Sequence, residues 1–178
     1  ITAVLLPLLM AAVLVTTTTA TAIGVACTTS GMPATGDWRP PYEQAYHVGA
    51  RGFGMRFHPI HRQWRMHTGQ DMTALPTSGP IVAAAAGTIR TARYSPGLGN
   101  HVIIDHGGDI ATVYGHLASI EPDITPGAPV RIGQRLGLEG STGMSTGAHL
   151  HFEVHTGGAP TDPIPFMLDR GAPLTGAA

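Results

Sequence analysis

Residues 140–155 read GSTGMSTGAHLHFEVH, and the second half of that run decides the fold. Leu150, Phe152 and Val154 alternate there with His149, His151 and Glu153. Such alternation marks a half-buried β-strand, because successive strand side chains point to opposite faces. The two imidazoles therefore share one face with Glu153, and the apolar side chains share the other. Two histidines two apart on one face can converge on a metal ion. Alone they are too few, since zinc sites take three or four protein ligands. The preceding run, 140–147, has Gly140, Gly143 and Gly147 among serines and threonines, the chemistry of a tight loop.

The same period extends outward. In 109–117, DIATVYGHL, Thr112, Tyr114 and His116 alternate with Ala111, Val113 and Gly115, so His116 stands at a strand's end. Residues 101–107, HVIIDHG, read as a strong strand. Over 80–94 the pattern predicts strand, turn at Gly87, strand. The alanine run 83–86 favours helix on propensity, but Pro80 and Gly87 bracket it and favour extended chain. Residues 121–139 read as turn, strand, turn. With 24 Gly and 15 Pro and no sustained helical period after residue 40, the expected fold class is all-β: a small antiparallel β-sheet domain. Upstream, His67 and Asp71 stand four apart with Gly69 between them. That spacing can wrap one cation from a turn leading into a strand.

Composition narrows the function. Only 12 % of residues are charged and the formal net charge is −1, so nothing suggests a nucleic-acid binder, which usually carries a basic patch. All 10 histidines lie between His47 and His155, and histidine is the commonest metal ligand. The single cysteine, Cys27, excludes an intramolecular disulfide and a Cys-rich zinc site. No charge precedes Asp37, and residues 1–26 hold enough apolar length to cross a bilayer. The expected organisation is an apolar signal or transmembrane anchor segment over 1–27, a small, polar, Pro-containing linker over 28–41, and a folded domain over 42–178. Gly24-Val25-Ala26 before Cys27 is similar to a lipoprotein processing site, although a leucine is usual where Gly24 stands; the ordinary reading is an inert thiol.

Taken in order, His67-x-x-x-Asp71, Tyr114-Gly115-His116-Leu117 and Gly143-x-Ser145-Thr146-Gly147-x-His149-Leu150-His151-Phe152-Glu153-Val154 resemble the lysostaphin/LytM-type zinc endopeptidases. The resemblance runs from about residue 52 to 165, including Gly97-Leu98-Gly99-Asn100 and Asp105-His106-Gly107. It implies a narrow groove on the sheet, with Zn²⁺ held by His67, Asp71 and His151. It implies that His116 and His149 flank the reacting carbonyl as catalytic groups. It implies hydrolysis of peptide bonds in peptidoglycan, at a cross-link, stem or bridge, by an extracytoplasmic, cell-wall-associated and monomeric catalytic domain, secreted or held at a membrane through 1–26. Two imidazoles and a carboxylate leave one position of a tetrahedral site open, as a catalytic zinc needs. No H-E-x-x-H helix is present, so the proton transfers fall to His116 and His149, in roles the sequence leaves open. The alternative function is an idle domain of the same fold that regulates another wall hydrolase; such a domain has no chemical need for all five residues.

Other residues carry plainer expectations. Tyr114 is a candidate substrate-binding group, able to hydrogen-bond an oxyanion, or else a sheet-face residue. Glu153 is expected to support the metal ligands or lie at the surface. His47, His61, His101 and His155 are expected at the surface or groove edge, His58 in a structural loop role, His106 in a turn, and Trp38 and Trp64 in packing.

Overall fold

The computed structural model describes residues 37–50, 52–58 and 62–176. Residues 1–36, which include the expected apolar segment and Cys27, lie outside them, as does His61.

The first elements of the described residues are β1 (Tyr46–Val48), the hairpin β2 (Gly54–His58) and β3 (Gln63–His67), and β4 (Gln70–Ala74). Then come β5 (Pro80–Val82), the long strands β6 (Gly87–Ser95), β7 (Gly99–Gly107) and β8 (Ile110–Leu117), and the short β9 (Ser119–Ile120) and β10 (Pro129–Val130). β11 (Arg135–Leu138), β12 (Leu150–Thr156), β13 (Ala159–Thr161) and α1 (Pro163–Asp169) complete the order among the described residues. The main sheet runs β1-β4-β12-β8-β7-β6-β10, with β13 paired to β12. All its pairings are antiparallel. The expected all-β class therefore holds.

The strand at 150–156 is central, flanked by β4 and β8. Its alternation does what the sequence requires. Leu150, Phe152 and Val154 are fully buried beside Met72, Val102 and Tyr114. A second sheet, β5-β11-β9, helps cover this face with Ile81 and Leu136, and α1 adds Phe166 and Met167. Glu139 is buried at this seam, accepting hydrogen bonds from the Tyr42 hydroxyl and, at 2.8 Å, from the Ala74 amide. The opposite face of β12, carrying His151 and Glu153, is left for the groove.

Three local expectations are corrected. Ala83, Ala84 and Ala85 form a buried bend rather than a strand, and Gly87 opens β6 instead of turning the chain. Methyl side chains let that bend press into the core. The dipeptide Asp162-Pro163 reads as a turn in the sequence, yet the chain continues from it as α1: Asp162 caps the helix by accepting from the Ile164 amide, and Pro163 sits where a missing N–H is harmless. The folded body also reaches back into the expected linker. Trp38 is buried, with its ring 5.0 Å from His106 and 5.2 Å from Phe166.

Candidate active site

Register builds the site. Asp71 of β4 and Gly115 of β8 are the cross-strand partners of His151 on β12. His67 ends β3, and Thr68-Gly69 turns the chain directly into β4. Gly69 is needed there, since a β-carbon would stand 2.5 Å from the Phe152 carbonyl oxygen and 3.0 Å from the His151 ring. As a result His67 Nε2 lies 3.2 Å from Asp71 Oδ1, and His151 Nδ1 lies 3.0 Å from the same oxygen. The two ring nitrogens are 3.0 Å apart. Among the described residues this is the group placed to hold a metal ion.

The outer nitrogens of both rings are occupied. His67 Nδ1 donates to the Gly52 carbonyl at 2.9 Å, and His151 Nε2 donates to Glu153 Oε1 at 2.8 Å. Such bonds fix ring orientation, so His67 Nε2 and His151 Nδ1 both face Asp71 and are the ring atoms left for a metal ion to take in place of a proton. Glu153 is held in turn by the Thr68 hydroxyl and by His155 Nε2 at 2.6 Å. Burial pushes Glu153 up, but hydrogen bonds from His151, Thr68 and His155 outweigh it and bring it to about 2. Burial opposes charge on His151, yet Asp71 and Glu153 hold its pKa up at about 9. Asp71 is likewise kept well below the usual carboxylate range, against its burial, by its bonds to His151 and His67. Positive charge is thus favoured at the point where the three side chains meet.

His116 and His149 stand across from this cluster with ring centroids 4.8 Å apart. His116 closes β8 in a left-handed backbone conformation, φ +63°, where its amide donates to Leu98 at 2.7 Å. Its Nδ1 donates to the Thr142 carbonyl at 2.8 Å. His149 Nδ1 donates to the Gly147 carbonyl at 2.8 Å, and its Nε2 is 3.7 Å from Asp71 Oδ1. Both rings therefore turn Nε2 toward the groove. Burial lowers His116 to about 4, against the bond to Thr142, so it is neutral at neutral pH. The groove has a volume of about 890 Å³, with the β2–β3 hairpin on one side and the loop 144–148 on the other.

Residues 65–163, more than half of the chain, match the model of peptidase family M23. The chain belongs to that family. It is 41 % identical over 116 residues to the DD-carboxypeptidase/endopeptidase Mpg of Neisseria meningitidis, an alignment covering 65 % of this chain and 26 % of that protein. It is 35 % identical over 124 residues to the peptidoglycan DD-endopeptidase ShyA of Vibrio cholerae, covering 70 % and 28 %. Among solved structures, the catalytic domain of lysostaphin from Staphylococcus simulans superposes with a TM-score of 0.59 at 32 % identity, covering 69 % of this chain and 92 % of that one. The chain spans about a quarter of the length of these curated relatives. The resemblance read from the motifs is therefore confirmed.

The M23 groove brings together His67, Asp71, His116, His149 and His151, but not Tyr114. Tyr114 is fully buried on the core face, with its hydroxyl accepting from the Ala84 amide at 2.8 Å and lying 3.0 Å from the Thr112 hydroxyl. Counting by two from His116 puts Tyr114 in the groove only if the strand is regular to its end. The left-handed turn at His116 breaks that parity. His101 and His106, expected at the surface and in a turn, are buried; His106 bridges the Ala86 carbonyl and the Thr112 hydroxyl, each at 2.8 Å. Trp64 is 66 % exposed rather than packed in the core. Two groove residues were missed, Arg56 and Arg65. Strand parity from His67 places Arg65 on the groove side, and the hairpin register pairs it with Arg56.

Proposed function

We propose that the chain is a zinc-dependent endopeptidase that hydrolyses peptide bonds of peptidoglycan outside the cytoplasm. The observation that carries this reading is the convergence of one carboxylate and two imidazoles beside two further imidazoles with free Nε2 atoms. The donor set suits zinc. Ligands at 2.0–2.2 Å in a tetrahedron lie about 3.3–3.6 Å apart, and the three donor atoms here, 3.0–3.2 Å apart, need to spread by only a few tenths of an ångström to take the ion. His67, Asp71 and His151 would hold the ion, and Glu153 would orient His151. Zinc, when bound, supplies Lewis-acid chemistry: it acidifies water and polarises a carbonyl oxygen.

The chain's own groups do the rest. Amide hydrolysis needs a proton taken from water, an oxyanion stabilised and a proton given to the leaving amine. His116 Nε2, neutral at working pH, can accept a proton. His149 Nε2 lies on the same side of the groove and can stabilise the oxyanion or deliver the proton to nitrogen. The names of the relatives, a DD-endopeptidase among them, support peptidoglycan as the substrate class.

The test is digestion of purified peptidoglycan by the zinc-loaded protein, with and without chelator and with zinc restored. Zinc-dependent release of new amino termini is expected, and their identity gives the bond cut. Stoichiometric zinc without release would favour the idle regulatory domain instead.

A further inference from the structure

The β2–β3 hairpin is turned the wrong way round for burial. Register pairs Met55 with Met66 and Phe57 with Trp64, and all four side chains are exposed, from 46 to 66 %. Register also pairs Arg56 with Arg65, and these two line the groove. Like charges directly opposite on a hairpin are destabilising, and apolar side chains favour the interior. The hairpin nevertheless shows Met55, Phe57 and Trp64 to solvent, and both guanidinium groups line the site with Met66 beside them.

The groove holds little to neutralise them. Its carboxylates are Asp71 and Glu153. Glu153 is taken up by His151, His155 and Thr68. Asp71 meets Arg56 at 3.3 Å but also faces His67 and His151. Among the described residues Arg65 has no carboxylate partner; with the Gln63 amide turned over, its neutral oxygen accepts from Arg65 Nε at 2.9 Å. The facing loop, 144–148, is uncharged. Positive charge therefore lines one wall and not the other.

We propose that Arg56 and Arg65 form a carboxylate-recognition wall, and that the enzyme selects wall peptides keeping a free carboxylate beside the scissile bond. This rests on the endopeptidase reading above. A guanidinium donates two parallel N–H bonds that match a carboxylate, and an anion between two arginines also relieves their repulsion. The wall's one-sidedness assigns the carboxylate to one side of the bond being cut.

The test uses the zinc-loaded full chain and two synthetic cross-linked peptide dimers, identical except that their side carboxylates are free in one and amidated in the other. The free acid should be cleaved with a kcat/KM at least about tenfold higher, mostly through KM, as loss of charge-assisted binding implies. Arg65 is exposed, so Arg65→Gln should fold; it should bring the ratio close to one, while Arg65→Lys retains part of it. Equal cleavage of both dimers by the unaltered protein, or an undiminished preference in Arg65→Gln, would overturn the recognition wall and leave the endopeptidase standing. Cleavage of neither dimer would overturn the endopeptidase reading and this inference with it.

Discussion

His116 and His149 are both tied at Nδ1 to a backbone carbonyl, and neither belongs to the metal-binding cluster. Their removal should separate chemistry from metal binding. His116→Ala or His149→Ala is expected to keep one zinc per chain while hydrolysis falls by about 10²–10⁴-fold, the usual share of a general acid or base; metal analysis beside a turnover assay checks it. Glu153 acts one step back from the donor atoms. Glu153→Gln leaves His151 a weaker partner and should loosen zinc by about 10–100-fold in a chelator competition. Spacing made His67, Asp71, His149 and His151 legible as candidate ligands, but it was the family resemblance that set His151 and not His149 beside His67 and Asp71. Tyr114 misled because the same spacing rule was carried through His116, where a left-handed residue ends the rule.

At the scale of elements, the alternation of 150–156 was readable, and so was its antiparallel setting. The short helix at 163–169 was not, because two prolines and seven residues give no helical period to read. The hairpin's inverted polarity was also hidden; whether a strand face meets a groove or solvent depends on partners far along the chain. Two consequences are measurable. Gly99 has φ +66°, and a β-carbon there would overlap the Thr142 backbone, whose carbonyl holds His116. Gly99→Ala should therefore lower kcat, by up to about 10²-fold if the imidazole moves by an ångström, without changing zinc content. His106 joins β7 to the bend before β6 and to β8. Burial holds its pKa below the ordinary imidazole value. The folded state therefore binds this proton less readily than the unfolded chain. The stability His106 contributes is complete above about pH 6.5 and is lost as pH falls through its lower folded value. Melting temperatures from pH 8 to 5 should fall less steeply in His106→Gln than in the unaltered protein.

On the scale of the whole molecule, residues 1–26 carry the expectation of a membrane anchor. Among the described residues no helix is long and apolar enough to cross a bilayer, so the question rests on that segment. The full protein is expected to sediment with membranes and to stay there in high salt; release into the supernatant would show that 1–26 does not hold it. The sheet order has a further meaning for how the protein comes into being. β12 lies between β4 and β8, yet it follows both in the chain, and His151 meets Asp71 across 80 positions of sequence. A nascent polypeptide that has already released β4 and β8 lacks the strand that belongs between them. Pairing across such separations is slow, and it waits for the whole segment. His67, Asp71, His116, His149 and His151 are therefore brought together only once β12 has been made and has paired, and on the proposed reading a chain still lacking that strand could not cut peptidoglycan.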